Sequence, residues 1–389
     1  MFRKLFKRTP LAWRQLKKEK TRLLVAVAGI AFADLLIFIQ MGFESALYDA
    51  AIKPHRSLQA DLVLINPQLQ TLFAVKSFSR ERLYQTLSYE GVESVTPLYF
   101  ATGQWRNPET RVSRAILVWG VDPARPAFKS AEVTENLDSL KQLDRVLFDQ
   151  AGRPEYGAIA DWYKKDDGNV DVELNDKMVS VKGLFTNGAS FAADGNVITS
   201  DSTFLQLFRE RKPEQIEVGL ITLKPGTDVN QVRSQLIAGL PNDVKVLTPE
   251  GFAQIEKEYW ASGTGIGFIF GLGVGVGFIV GIVIVYQILY SEVSDRLPEY
   301  ATLKAMGYTD RYFLIVLLQE ALFLAILGYI PGFILSFGLY QLAYAATLLH
   351  ITMTVERAVS VLILTIIMCS ASGAVAMRKL RSADPADVF

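Results

Sequence analysis

Cysteine is nearly missing from this chain. Cys369 is the single one among 389 residues, so no disulfide can form within the chain. A folded part outside a membrane must then hold by its core alone, and the stretch from 44 to 262 is long enough to build one. Histidine is almost as scarce. His55 and His350 lie far apart and make no recognisable metal motif. Acidic and basic side chains balance at 40 each, which leaves no net charge for a polyanion and argues against a nucleic-acid partner. The phosphate-cradling pattern G-x-x-x-x-G-K-[ST] does not occur. No Ser/His/Asp set, metal cluster or paired-carboxylate motif stands out in 44–262. The chain is therefore expected to hold no metal, no cofactor and no catalytic residue of its own.

Charge is missing from four long stretches, and these carry the first positive signal. Leu23 to Gly42 contains only Asp34. Thr264 to Tyr290 contains no charge. Tyr312 to Leu349 contains only Glu320, and Val359 to Met377 none. A helix needs about 20 apolar residues to cross hydrocarbon, and each stretch meets or nearly meets that. The first is too long for a cleavable signal and runs through Gln40, Met41 and Gly42 into Phe43 and Glu44 without a cleavage site, so it reads as an uncleaved anchor. Arg3, Lys4, Lys7, Arg8, Arg14, Lys17, Lys18, Lys20 and Arg22 precede it, against Glu19 alone; Arg378, Lys379 and Arg381 follow the last stretch. The positive-inside rule then puts both termini in the cytoplasm and 44–262 on the far side.

The expected fold class is a membrane α-helical protein, four transmembrane helices in a one-plus-three arrangement, with a large α+β extracytoplasmic domain of two lobes. The order is an amphipathic cytoplasmic helix over 1–21, spans at 22–43, 263–290, 312–340 and 359–377, the α+β domain at 44–262, a cytoplasmic loop at 291–311, an outer loop at 341–358 and a tail at 378–389. In the first segment Thr9 is read as an N-cap with Pro10 at the first helical position, and Trp13 and Leu16 share a face.

Within the large domain, 60–65 reads as a strand and 79–88 has helical spacing. Residues 92–100 and 114–121, joined by the turn at Asn107-Pro108, read as paired strands. Residues 178–185 and the run around 196–199 continue the β pattern. Strand 216–223, helix 229–240 and strand 244–248 read as a β-α-β unit, packed with the 60–65 strand. The acidic stretch 161–176 reads as an exposed loop.

In the second span Gly263, Gly267, Gly271 and Gly275 recur every fourth residue, and Gly273, Gly277 and Gly281 make a second stripe. Such a stripe strips side chains from one helix face, so another helix can approach. The first stripe, with Asp34 of span one, is the expected packing or dimer seam. Pro331-Gly332 is expected to act as a hinge that bends or breaks the third span. Asp34 and Glu320 are costly in lipid, and the readings are a packing hydrogen bond or a proton or ion path.

The loop 291–311 reads as a short amphipathic helix. Pro298 suits a first turn, Asp295 and Glu299 suit the positive end of the dipole, Lys304 suits the other end, and Gly307 is a natural stop. Being about 16 Å long it cannot span, and it suits docking into a groove on a cytoplasmic partner.

Arg296, Glu299, Leu303, Lys304, Ala305, Met306 and Gly307 resemble the R-x-x-E…K-A-[LM]-G loop of the FtsX/MacB-type permeases. Leu11-Ala-Trp-Arg-Gln-Leu16 and Lys20-Thr-Arg22 resemble that superfamily's entry into its first span, Leu318-Gln-Glu320 its third-span start, and Asp384-Pro-Ala-Asp-Val its tail. In the large domain Ala60-Asp-Leu-Val-Leu64, Gly91-Val-Glu-Ser-Val95, Trp119-Gly-Val-Asp-Pro123, Gly183-Leu-Phe185 and Lys224-Pro-Gly226 resemble the DevC group, permeases of cyanobacterial-type ABC exporters.

The resemblance implies a bacterial inner-membrane permease with a MacB-like outer domain, working as a dimer. It implies four kinds of partner: a cytoplasmic ABC ATPase, a second copy of the permease, a periplasmic membrane-fusion adaptor and a TolC-like outer-membrane channel. In the DevC group the cargo is an envelope glycolipid. Asp295, Arg296, Leu297, Glu299, Tyr300, Leu303, Lys304, Ala305, Met306 and Gly307 would couple to the ATPase. MacB carries a fused ATPase; this chain departs from it, so ATP and magnesium are expected on another polypeptide. Competing readings are a lipoprotein-releasing permease, an FtsX-like mechanotransmitter that activates a cell-wall hydrolase, a membrane enzyme, and a receptor without an ATPase.

Overall fold

A computed structural model describes residues 20–72, 74, 76–165, 168–190, 194–347, 349 and 351–381. The expected N-terminal helix, apart from its last two residues, and the Asp384-Pro-Ala-Asp-Val tail motif lie outside the described residues. By contact the chain divides into a helical unit, up to Ala46 and from Gly265 onward, and a sheet unit, Leu47–Thr264.

Helix α1 (Lys20–Ser57) leads into the sheet unit. There the strands are β1 (Leu62–Ile65), β2 (Phe78–Ser79), β3 (Val92–Arg106), β4 (Ser113–Val121), β5 (Arg145–Asp149), β6 (Val170–Leu174), β7 (Lys177–Phe185), β8 (Asn196–Ser200), β9 (Gln215–Ile216), β10 (Val218–Leu223) and β11 (Lys245–Leu247). Helices α2 (Arg80–Gln85), α3 (Ala131–Asn136), α4 (Ile159–Lys165), α5 (Asp201–Leu207), α6 (Val229–Gly239) and α7 (Pro249–Glu258) join them. Nine strands form one sheet in the order β11-β1-β10-β3-β4-β8-β5-β7-β6, and β6 also pairs with β3. Six strands, β3 to β6 through β4, β8, β5 and β7, thereby close into a ring.

β3 makes both parts possible. Its first half pairs with β10, from Val92 to Leu98, and its end pairs with β6 at Trp105 and Arg106. Side chains alternate across it. Tyr99, Ala101 and Trp105 join Val118, Val146, Val172, Val181 and Val197 in one core, which draws on all six ring strands and fills the ring as small barrels require. Leu98 and Phe100 join Leu117, Trp119, Leu147 and Ile198 in the other core. β4 is buried on both faces from Ile116 to Val121, which is why it reads as a continuous apolar run. The Trp105 indole N–H donates to Tyr156 O at 3.1 Å.

The expected hairpin of 92–100 with 114–121 is present. So is the packing of the first strand with the β-α-β unit: β1 lies antiparallel between β10 and β11. The expected loop at 161–176 is not. Its start is helix α4, and 170–174 is β6, paired with β7 and with Val170, Val172 and Leu174 buried. Asp171 and Glu173 sit on the opposite face of that strand, so the acidic composition hid a period-2 pattern. Asn175 and Asp176, at φ +49° and +58°, make the two-residue turn into β7.

The helical unit contains α8 (Ile266–Asp295), α9 (Leu297–Ala305), α10 (Asp310–Thr347) and α11 (Val355–Arg381). α1, α8, α10 and α11 are long and apolar enough to cross a membrane. The third span does not break at Pro331. α10 runs unbroken through it to Thr347, past the expected end at 340. A proline deletes one N–H, but in hydrocarbon no water competes for the remaining ladder, so the helix continues. At Gly332 two helices approach closely: a Cβ there would lie 3.0 Å from Asp34 Cβ and 3.1 Å from Ala31 O. One turn earlier, a Cβ on Gly328 would lie 2.5 Å from Ile30.

The second glycine stripe of α8 is the one in use within this unit. A Cβ on Gly273 would meet Gln40, one on Gly277 would meet Ile37, and one on Gly281 would fall on the Met368 sulfur and touch Ala33 at 3.0 Å. Of the first stripe, Gly271 and Gly275 face open space, where a Cβ would find nothing within 4 Å, and Gly263 lies before α8 in a π-helical turn, Tyr259–Gly263. Gly281→Leu is expected to destabilise the helical unit by about 1–3 kcal/mol, the usual cost of overpacking, whereas Gly338→Leu, where nothing lies within 4 Å, should stay within about 0.5 kcal/mol of wild type. Thermal unfolding of the two detergent-solubilised variants checks the contrast.

Candidate functional site

The chain between α8 and α10 folds as expected from its residue types. Arg296 ends α8 and begins α9 without a side-chain cap bond, with Pro298 and Glu299 in the first turn. At the other end Gly307 takes φ +95°. Its N–H donates to Lys304 O at 3.0 Å, and the Tyr308 N–H donates to Leu303 O at 3.1 Å. That pair of bonds is the Schellman stop, which needs a left-handed residue and so favours glycine.

One face of α9 is held. Tyr300 and Ala301 are buried, and the Tyr300 ring meets Phe313 edge-on at 5.3 Å. Leu297 and Leu303 pack half-buried against the core of the helical unit. Arg296 reaches back one turn to Glu292 at 3.1 Å, with the two side chains only 10% and 5% exposed. Asp295 pairs with Arg22 at 2.6 Å, and Lys304 pairs with Asp310 at 3.5 Å across the Gly307 turn.

The other face is open. Pro298, Glu299, Thr302, Ala305, Met306 and Gly307 lie on it, with Met306 64% exposed. Tyr308 beside it is 43% exposed, its ring 4.8 Å from that of Tyr312. The ten residues expected to couple therefore divide. Glu299, Ala305, Met306 and Gly307 face outward. Arg296, Leu297, Tyr300 and Leu303 anchor the helix, and Asp295 and Lys304 are tied in ion pairs. The sequence reading missed Arg22, Glu292 and Phe313. The i,i+4 spacing of Glu292 and Arg296 was a legible signal; the other two come from different helices and were not.

Asp34 lies away from α9, fully buried within the helical unit. The Thr365 hydroxyl donates to its Oδ1 at 2.7 Å, which ties α1 to α11. Glu320 is equally buried in α10. Asp34 thus lies inside the unit and not on the exposed Gly271–Gly275 face.

Residues 271–385 match the family model described as the FtsX-like permease C-terminal region. The matched residues make up less than a third of the chain. They take in most of α8, the whole α9 site and both later spans, so the α9 helix is an internal part of the FtsX-like region. Two solved structures each match about half of the chain. The periplasmic region of MacB from Actinobacillus actinomycetemcomitans is 12% identical, covering 51% of this chain and 94% of that one, with a TM-score of 0.37. The extracellular domain of the noncanonic ABC-type transporter YknZ from Gram-positive bacteria is 14% identical, covering 48% and 99%, with a TM-score of 0.33. No curated protein matches the chain.

Arg296→Ala leaves Glu292 buried without its cation and is expected to cost about 3–5 kcal/mol. Glu299→Arg, on the exposed face, should change stability by less than about 0.5 kcal/mol. Melting of the two purified variants distinguishes the anchoring face from the open one.

Proposed function

We propose that this chain is the non-catalytic transmembrane subunit of an ABC-type exporter, and that α9 docks on a separate cytoplasmic ATPase. The observation that carries this reading is the division of α9: one face clamped to the spans by Tyr300, Leu297, Leu303 and the Arg296–Glu292 pair, the other left open at Glu299, Thr302, Ala305 and Met306. A helix clamped on one side transmits a push into the spans; a loose one would absorb it. The family match over 271–385 supports the permease part.

In this reading the sheet unit lies in the periplasm of a bacterial inner-membrane protein, with both termini in the cytoplasm. It meets a membrane-fusion adaptor that leads to a TolC-like channel, and the cargo is an envelope glycolipid, as the DevC resemblance implies. A second copy packs along the open Gly271 and Gly275 face of α8. ATP and magnesium belong to the ATPase. The lipoprotein-releasing alternative calls for a lipid-sized apolar groove in the sheet unit.

Glu299→Arg combined with Met306→Asp is expected to reduce co-purification of the ATPase at least tenfold and to abolish coupled ATP hydrolysis, with the melting temperature of the permease unchanged. Pull-down with and without ATP, with the partners identified by mass spectrometry, makes the test. Normal coupling in this double variant overturns the docking assignment, and recovery of a wall hydrolase with the ATPase would favour mechanotransmission over export.

A further inference from the structure

The sheet unit holds a polar cavity of about 200 Å³ lined by Ser77, Glu210, Arg211, Lys212, Gln215 and Glu217. It opens beside the small two-stranded sheet of β2 and β9, where Ser79 pairs with Gln215. Glu217 stands between β9 and β10, and its side chain is 1% exposed. Its Oε1 accepts from Arg211 Nη1 at 3.2 Å and its Oε2 from the Phe100 N–H at 3.2 Å. Arg211 is 26% exposed, commits Nη1 to that pair and lines the cavity. Lys212 and Glu210 form no ion pair among the described residues. The Gln215 amide accepts from the Ser77 hydroxyl at 3.4 Å.

A carboxylate at this depth is costly, and the Phe100 N–H and Arg211 are the partners that offset it here. Burial pushes the Glu217 carboxyl up to about 7, against the pull of the Arg211 guanidinium and the Phe100 N–H. The charged groups around it are Glu210, Arg211 and Lys212 on the cavity wall and Tyr99 on β3, whose hydroxyl donates to Pro213 O at 2.8 Å. Arg80 and Asp201 stand beyond Tyr99.

We propose that this cavity is a binding site for a tetrahedral oxyanion of the sulfate or phosphate class, which displaces Glu217 from Arg211. A guanidinium offers a planar fork that matches two oxygens of such a group, and Lys212 supplies a second cation. One guanidinium cannot serve a buried carboxylate and an incoming anion together without a large repulsion. Glu217 therefore takes up a proton as the anion enters. Its Oε2 keeps the Phe100 N–H, and the carboxylic acid replaces the ion pair. Glu210, exposed on the rim, opposes the anion and keeps the affinity low. Uptake of one proton by a group titrating near 7 makes binding about tenfold tighter at pH 6 than at pH 8.

Inorganic sulfate is the probe, because its own charge is constant over that range. The full-length protein in detergent is titrated with sodium sulfate against matched sodium chloride by calorimetry, at about pH 6 and about pH 8. Saturable binding, tighter by about tenfold at the lower pH, is expected. Glu217→Gln keeps the acceptor for Phe100 and should bind sulfate equally at both pH values. Arg211→Ala should lose binding, and Lys212→Ala, on an exposed side chain, should weaken it several-fold with an unchanged melting temperature. No saturable binding at either pH, binding that survives Arg211→Ala, or a pH dependence that survives Glu217→Gln each overturns the site. None of these outcomes bears on the docking of α9.

Discussion

The buried Arg296–Glu292 pair governs how the segment between the second and third spans can behave. Both charges sit at the end of α8, one turn apart, and neither can leave without stranding the other in a poorly solvated place. Arg296 is also the first residue of the turn into α9, so the pair fixes the direction in which that helix departs. Tyr300 against Phe313 fixes its rotation, and the Schellman stop at Gly307 fixes its end. Which side chains face outward follows from these three constraints.

In the helical unit, α1 plays the corresponding part. Gly277 and Gly281 of α8 let that helix approach Ala33 and Ile37, and Gly328 and Gly332 of α10 approach Ile30, Ala31 and Asp34. Hydrocarbon supplies no hydrophobic drive between helices, so close backbone approach and a few hydrogen bonds must supply the adhesion. Thr365 to Asp34, Ser372 to Ile282 O and Tyr329 to Ala358 O are of that kind. Gly271 and Gly275 of α8 take no part in that packing, with nothing within 4 Å of a Cβ at either.

The sheet unit depends on β3 having 15 residues. A shorter strand could pair with β10 or with β6, but not with both. Its length makes the ring and the β11-β1-β10 extension one continuous sheet with two cores on its faces. Glu217 lies just before β10 of that extension, where its carboxylate accepts from the buried Phe100 N–H on β3.

Much of this architecture was legible in the residues. Four nearly uncharged runs pointed to the spans, because length and apolarity are all that a bilayer asks of a helix. The Asn107-Pro108 turn between two apolar runs pointed to the β3–β4 hairpin, and Pro298, Glu299, Lys304 and Gly307 to α9 with its ends. All of these are local: the cause and the effect lie within a turn or a strand of each other. What was not legible depended on partners far away in sequence. In the acidic stretch at 161–176, residues 170–174 became a strand because β3 and β7 offered open hydrogen bonds to them. Pro331 failed to break α10 because its surroundings offer no water to compete for the remaining ladder. Which of two identical-looking glycine stripes packs inside the unit was decided by Met368, Ile37 and Gln40. Element types and the membrane pattern were thus set by residue order alone, since they follow from local propensity and solvent preference. Which faces are filled and which stay free was settled by the folded chain, since a face is filled by whatever distant segments bring to it.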